Sequence, residues 1–170
     1  MTTLRDALDT DSPAIRAVHL TAFPTSAEAD LVERLTADGD RILSLVAEED
    51  GKVVGHVLLS RMRVSGDGRD YRALGLAPVA VAESRQGAGL GSRLIRAALD
   101  RASRQGEELV FLLGAPAYYE RFGFRAEEAA PFASPCAGPH FMALRLRDVP
   151  LPQSGRAEYA PAFAMLESGS

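Results

Sequence analysis

Residues 73–82 form an almost uninterrupted apolar run. The turn Gln86-Gly87-Ala88-Gly89-Leu90-Gly91 follows it closely and opens a helical pattern. This junction constrains the fold more than any other feature of the chain. A run that is apolar at every position has no side to turn to water, so it predicts an interior strand covered on both faces. In the segment after the turn, Leu90, Leu94, Ile95, Ala98 and Leu99 recur at helical spacing. That stripe needs an apolar partner, and the strand supplies one. Pro78 inside the run has no N–H to give a ladder, which predicts a bulge or a splaying of the strand there. The glycines of the turn remove side chains, so backbone N–H groups can converge on one point. The helix adds free N-terminal amides and the positive end of its dipole. Together these can hold phosphate oxygens without a lysine.

The remaining elements surround that junction. Residues 4–8 read as a short strand. Asp11-Ser12-Pro13 starts a helix, with Pro13 at its first position, and Phe23-Pro24 ends it. A second helix fits residues 26–37, with Gly39 after its end. Residues 42–47 and 53–64 form strands joined by a hairpin at Asp50-Gly51, and Gly66-Asp67-Gly68 turns into the apolar run. Residues 109–113 are a fully apolar strand. A short helix near residues 117–121 precedes a last strand at 141–146. The expected class is α/β, more fully an α+β mixed sheet, with a parallel β-α-β crossover set among antiparallel strands. Residues 1–148 are read as one domain and residues 149–170 as a tail or accessory segment.

Composition narrows the function. With 19 basic against 23 acidic residues the formal net charge is −4, which argues against a nucleic-acid partner. One lysine, Lys52, stands beside eighteen arginines. The single cysteine, Cys136, excludes an intrachain disulfide and a cysteine-based zinc cluster. No metal is expected. The first residues carry neither the basic nor the apolar region of a secretion signal, and no apolar stretch approaches the roughly 20 residues of a membrane helix, so a soluble, cytoplasmic protein is expected.

Three kinds of phosphate-binding turn can be compared. The Walker pattern needs a lysine that is absent here. A dinucleotide fingerprint counted from Gly87 reaches Ser92 where it needs glycine. Its acid would be Glu107 or Glu108, but these precede the next strand instead of following it. The pattern Arg/Gln-x-x-Gly-x-Gly/Ala is satisfied by Gln86, Gly89 and Gly91.

On that third pattern the chain resembles the GCN5-related N-acetyltransferase (GNAT) superfamily. Residues 74–82 look like the family's central strand before its loop. Tyr119-Glu120-Arg121-Phe122-Gly123-Phe124 looks like its Tyr-x-x-x-Gly-Phe element. Ser44-Leu45-Val46-Ala47-Glu48, with Val54-Gly55-His56-Val57, is similar to the YhbS-like branch of predicted acetyltransferases. The resemblance covers about residues 3–147.

The resemblance implies a GNAT-type acyl-CoA N-acyltransferase fold: a mixed sheet flanked by helices and splayed between its fourth and fifth strands. It implies acetyl-CoA as co-substrate and a small-molecule or peptide amine as acceptor, in a monomer or homodimer. Gln86, Gly87, Ala88, Gly89, Leu90, Gly91 and Ser92 would hold the coenzyme's diphosphate, with Arg85 and Arg93 as neighbouring cations. Val79, Ala80 and Val81 would line the pantetheine arm. Tyr119 would be the general acid, with Tyr118 as the adjacent alternative. Residues 73–82 contain no acid for the general base. His56, which titrates near neutrality when unperturbed, is the candidate there. Glu28 is a candidate partner for a cationic acceptor, whereas Arg61 and Arg63 are expected to face water. The missing carboxylate leaves one alternative, an acyl-CoA-binding sensor or partner module with little turnover.

Overall fold

The computed structural model describes residues 1–168. Its strands are β1 (Thr2–Asp6), β2 (Arg41–Glu49), β3 (Lys52–Gly66), β4 (Arg69–Val81), β5 (Leu109–Leu113), β6 (Phe132–Ala133), β7 (Phe141–Arg145) and β8 (Gly155–Glu158). Its helices are α1 (Ser12–Ala22), α2 (Ala27–Ala37), α3 (Leu90–Arg104), α4 (Pro116–Tyr119), α5 (Ala126–Ala129) and α6 (Ala164–Ser168). The sheet runs in the order β1-β2-β3-β4-β5-β7, and β8 pairs with both β3 and β6. Within it, β4 and β5 are parallel, as are β6 and β8. The class read from the sequence, a mixed α/β sheet with a parallel crossover among antiparallel strands, is observed in β4 and β5; the short parallel pair of β6 and β8 is an addition to it. Among the described residues, no helix is long and apolar enough to cross a membrane.

The chain forms two compact units. The first contains Met1–Ser60, Ala77–Ala98 and the chain from Pro161. Its two sheet faces are distinguished by neighbouring residues of β3. His56 meets His19 of α1, while a Cβ on Gly55 would stand 2.9 Å from Leu94 Cδ1 of α3. Successive strand residues point to opposite faces, so α1 lies on one face and α3 on the other. Gly55 is where the sheet lets Leu94 in.

The second unit contains Arg61–Leu76 and Leu99–Ala160. Aromatic rings run through its core: Phe111 stacks on Phe141 and meets Phe132 edge-on, and Tyr71 also meets Phe132 edge-on. Residues 149–160 belong to this unit. Ala157 is buried, Tyr71 donates to the Pro150 carbonyl, and β8 pairs with residues 63–66 of β3. The strand at 155–158 escapes a reading of the sequence because Gly-Arg-Ala-Glu has neither β-branched residues nor apolar alternation. It is a strand because β3 offers it an edge.

Two expectations need correction. The apolar run is not buried on both faces to its end. Burial is continuous from Ala73 to Leu76, then alternates to Val81. Nor does Arg61 simply face water. It makes a two-pronged ion pair with Glu107, at 2.7 and 3.0 Å, and Arg72 adds a third bond to the same carboxylate at 2.8 Å. Glu107 is itself buried. Burial alone pushes its pKa up, but the bonds to Arg61 and Arg72 prevail, and the group is held below its usual value.

Candidate active site

In the first unit, the glycine-rich turn joins β4 to α3. Arg93 N–H donates to the Gly89 carbonyl at 3.1 Å, so α3 starts just after Gly89. The N–H groups of Leu90 and Gly91 then have no carbonyl one turn before them. Gly87 and Gly89 adopt φ of +85° and +80°, and a Cβ built on either meets nothing within 4 Å. Conformation, not crowding, therefore selects glycine at both positions. These open amides fit a polyanion. The Gln86 side chain is exposed, and its Nε2 donates to the Val81 carbonyl at 3.0 Å, which ties the loop to the end of β4. Arg85 is likewise engaged, donating to Glu49 at 2.6 Å. Thr2 and Arg85 both bond the Glu49 carboxyl and lower its pKa. Arg93 is exposed.

The strand before the loop has one edge in use and one edge free of β5. Ala82 N–H donates to Val54 of β3 at 2.8 Å. Backbone donors alternate along a strand, so the N–H groups of Val81 and Val79 point to the opposite edge. The ladder with β5 covers only Ala73–Gly75. Ala80 is buried, whereas Val79 and Val81 are partly exposed. The Ala77–Pro78 peptide is cis.

In the second unit, Tyr119 closes α4. Its N–H donates to the Ala115 carbonyl at 3.0 Å. Its ring lies against Gly114, where any Cβ would overlap it. Gly114 is fixed in turn by His140, through backbone and ring contacts of 3.0 and 3.1 Å. Tyr118 and Phe124 both meet the Tyr119 ring edge-on. Burial, with a smaller contribution from Tyr118, raises the Tyr119 pKa above its ordinary value. The phenol therefore keeps its proton at neutral pH. Tyr118 instead carries the Arg121 guanidinium over its ring, 4.4 Å from the centroid.

Residues 3–126 match the family model for the acetyltransferase (GNAT) domain. The chain belongs to the GNAT acetyltransferase family. The uncharacterized N-acetyltransferase YhbS of Escherichia coli is 41% identical over 122 residues, covering 71% of this chain and 72% of that protein. The crystal structure of E. coli YhbS in complex with CoA has a TM-score of 0.86 and 36% identity, covering 96% of this chain and 92% of that one. A GNAT acetyltransferase from Brucella melitensis in complex with acetyl-CoA has a TM-score of 0.80 and 33% identity, covering 96% and 98%.

The remaining candidates of this GNAT chain lie in the first unit. His56 is fully buried and both its ring nitrogens are occupied. Nε2 lies 2.8 Å from Ser44 Oγ, and Nδ1 lies 2.8 Å from His19 Nε2. Burial, aided by His19 and Arg41, depresses the His56 pKa to about 3. Burial depresses that of His19 to about 4. Both rings are neutral at pH 7. His56 is thus closed to direct contact with a substrate, and its ring nitrogens are reached through Ser44 and His19. Neither His19 nor Ser44 could be singled out from sequence, because their juxtaposition depends on α1 docking over β2 and β3. Glu28, near the start of α2, keeps its Oε1 buried with no hydrogen-bond partner. Among the described residues, no group of three or more His, Cys, Asp and Glu is placed to hold a metal ion.

Proposed function

We propose that this chain transfers the acetyl group of acetyl-CoA to a primary amine by direct attack while both substrates are bound. The observation that carries the reading is the glycine turn at residues 87–91, with Gly87 and Gly89 at positive φ and α3 beginning at Leu90. Acetyl-CoA supplies an activated thioester carbonyl. The amides of residues 87–92 would hold its diphosphate, assisted by the helix dipole. The N–H groups of Val79 and Val81 would bond the pantetheine arm and aim the acetyl carbonyl. Such fixed dipoles favour negative charge that develops on oxygen.

The amine nitrogen forms the new bond to the acetyl carbon and the carbon–sulfur bond breaks. The Tyr119 phenol gives its proton to the departing sulfur, and the raised pKa keeps that proton in place until then. The proton shed by the nitrogen passes to solvent. Glu28 supports an acceptor of cationic character, because a buried carboxylate oxygen without a donor is costly until a positive group meets it.

The test is a panel of primary amines incubated with acetyl-CoA, read by free thiol and by the mass gain of one acetyl group. Equal thiol release and mass gain with at least one amine is expected. Thiol release that ignores every amine would overturn the reading in favour of a non-transferring acyl-CoA-binding module.

A further inference from the structure

The cavity walled by α1, α2 and the start of β2 has no part in the reading above. It measures about 300 Å³, the size of a small-molecule site at the low end of the range. Ile15, Ala29 and Val32 give it an apolar lining, and Arg41 and Ser44 of β2 supply polar groups. Residues 41 and 44 of a regular strand would point to opposite faces. Here the β2–β3 register slips between Arg41 and Leu43, with Arg41 opposite Ser60 and Leu43 opposite Leu59. That irregularity turns Arg41 to the face that Ser44 occupies, as bulges beside binding sites do.

The charges around the cavity are unequal in their availability. Arg16 is neutralised by Asp30 at 2.9 Å and Glu33 at 3.2 Å. Among the described residues, the ion pair of Arg41 is a loose one with Asp9, at 3.9 Å, and the Asp9 side chain is 96% exposed. The Arg41 side chain itself is 31% exposed. A half-buried guanidinium with so distant a partner is a ready carboxylate receptor.

The histidine chain behind Ser44 adds a second donor. His19 Nδ1 is buried without a partner. A bare N–H left there would be costlier than a bare lone pair, since orphaned buried N–H groups are rarer than under-used acceptors. The favoured tautomer of His19 therefore carries its proton on Nε2 and donates to His56 Nδ1. His56 then carries its proton on Nε2 and donates to Ser44 Oγ. With its oxygen already accepting, Ser44 keeps its own O–H free to donate into the cavity. The two histidines thus set the direction of one hydroxyl.

We propose that this cavity binds a small monocarboxylate with an apolar body, its carboxylate held by the Arg41 guanidinium and the Ser44 hydroxyl. The site is separate from the turn at residues 86–91 and needs no donor substrate. The test titrates the full chain, without acetyl-CoA, with isovalerate and with its uncharged analogues isovaleramide and isoamyl alcohol, by calorimetry or amide chemical shifts. Isovalerate is expected to bind in the millimolar range or tighter, and both analogues at least about tenfold more weakly. Arg41→Gln should weaken isovalerate about tenfold or more, and Ser44→Ala roughly fivefold. Arg63→Gln, on an exposed part of β3, should change nothing. Should Arg41→Gln fail to fold, Ser44→Ala carries the comparison alone. Absence of isovalerate binding at millimolar concentrations, equal binding of the amide, or indifference to both substitutions would overturn the proposal.

Discussion

Acid should unfold this protein through two histidines before its carboxylates respond. His19 and His56 have pKa values of about 4 and about 3 in the folded chain, against 6.5 for a free side chain. The unfolded chain therefore binds protons that the folded chain refuses. Stability is complete above pH 6.5 and falls as pH drops through the window between the unfolded and folded values. At about pH 5 each histidine costs roughly 2 kcal/mol, so the pair removes roughly 4 kcal/mol of the stability present at neutral pH. Near that pH the slope approaches about 2.7 kcal/mol per pH unit, the signature of two protons. The lowered carboxyls act later: Asp11, held at about 2 chiefly by its bond from Arg5, stabilises above its unfolded value of 3.8 and loses that only in stronger acid. Urea unfolding from neutral pH to about pH 5 measures the effect. His19→Leu should reduce the slope to about one proton. A profile flat across this window, or a slope well under one proton in the unsubstituted chain, would refute the buried neutral pair.

Other substitutions probe the second unit and the chemistry. Tyr119→Phe should lower kcat roughly a hundredfold, the lower range for a lost general acid, with acetyl-CoA affinity unchanged in a binding titration. Gly114→Ala places a methyl group where the Tyr119 ring lies. It should lower kcat in the same manner, since displacing a reacting group by about 1 Å costs about a hundredfold. Full activity in either variant would remove Tyr119 from the mechanism. Glu107→Ala deletes the carboxylate that gathers Arg61 and Arg72, and should cost roughly 2–3 kcal/mol in urea unfolding while the arginines regain water.

Much of this arrangement was legible in the chain. The apolar run, the glycine turn and the helix stripe occupy β4, the loop and α3, because local conformation and burial demand the same residues there. Helices at 12–22 and 27–37 follow from their Pro start and apolar spacing. What was not legible depends on partners distant in sequence. β8 has no pattern of its own and exists by pairing with β3. Arg61 reads as an outward residue until Glu107 arrives from beyond α3. His56 reads as an open, titratable base; α1 covers it and supplies His19, which turns it into a neutral hydrogen-bond relay to Ser44. Gly114 shows nothing in sequence, and only the Tyr119 ring explains why a side chain is missing there. Gln86 and Arg85 look like phosphate ligands, but each side chain directs one donor to the protein itself, Gln86 to the Val81 carbonyl and Arg85 to Glu49. In the proposed function the diphosphate is held by the backbone of the turn, a role that needs no lysine and is compatible with a net charge of −4.

The most direct test of the central claim is a calorimetric titration of the full chain with acetyl-CoA, CoA and ATP, repeated on Gly89→Val. A β-branched residue is strained at φ +80°, so the loop should lose its converging amides. Acetyl-CoA and CoA should bind the unsubstituted chain, ATP should bind far more weakly, and Gly89→Val should lose CoA binding while remaining folded. Tight ATP binding without CoA binding, or undiminished CoA binding by Gly89→Val, would contradict that claim.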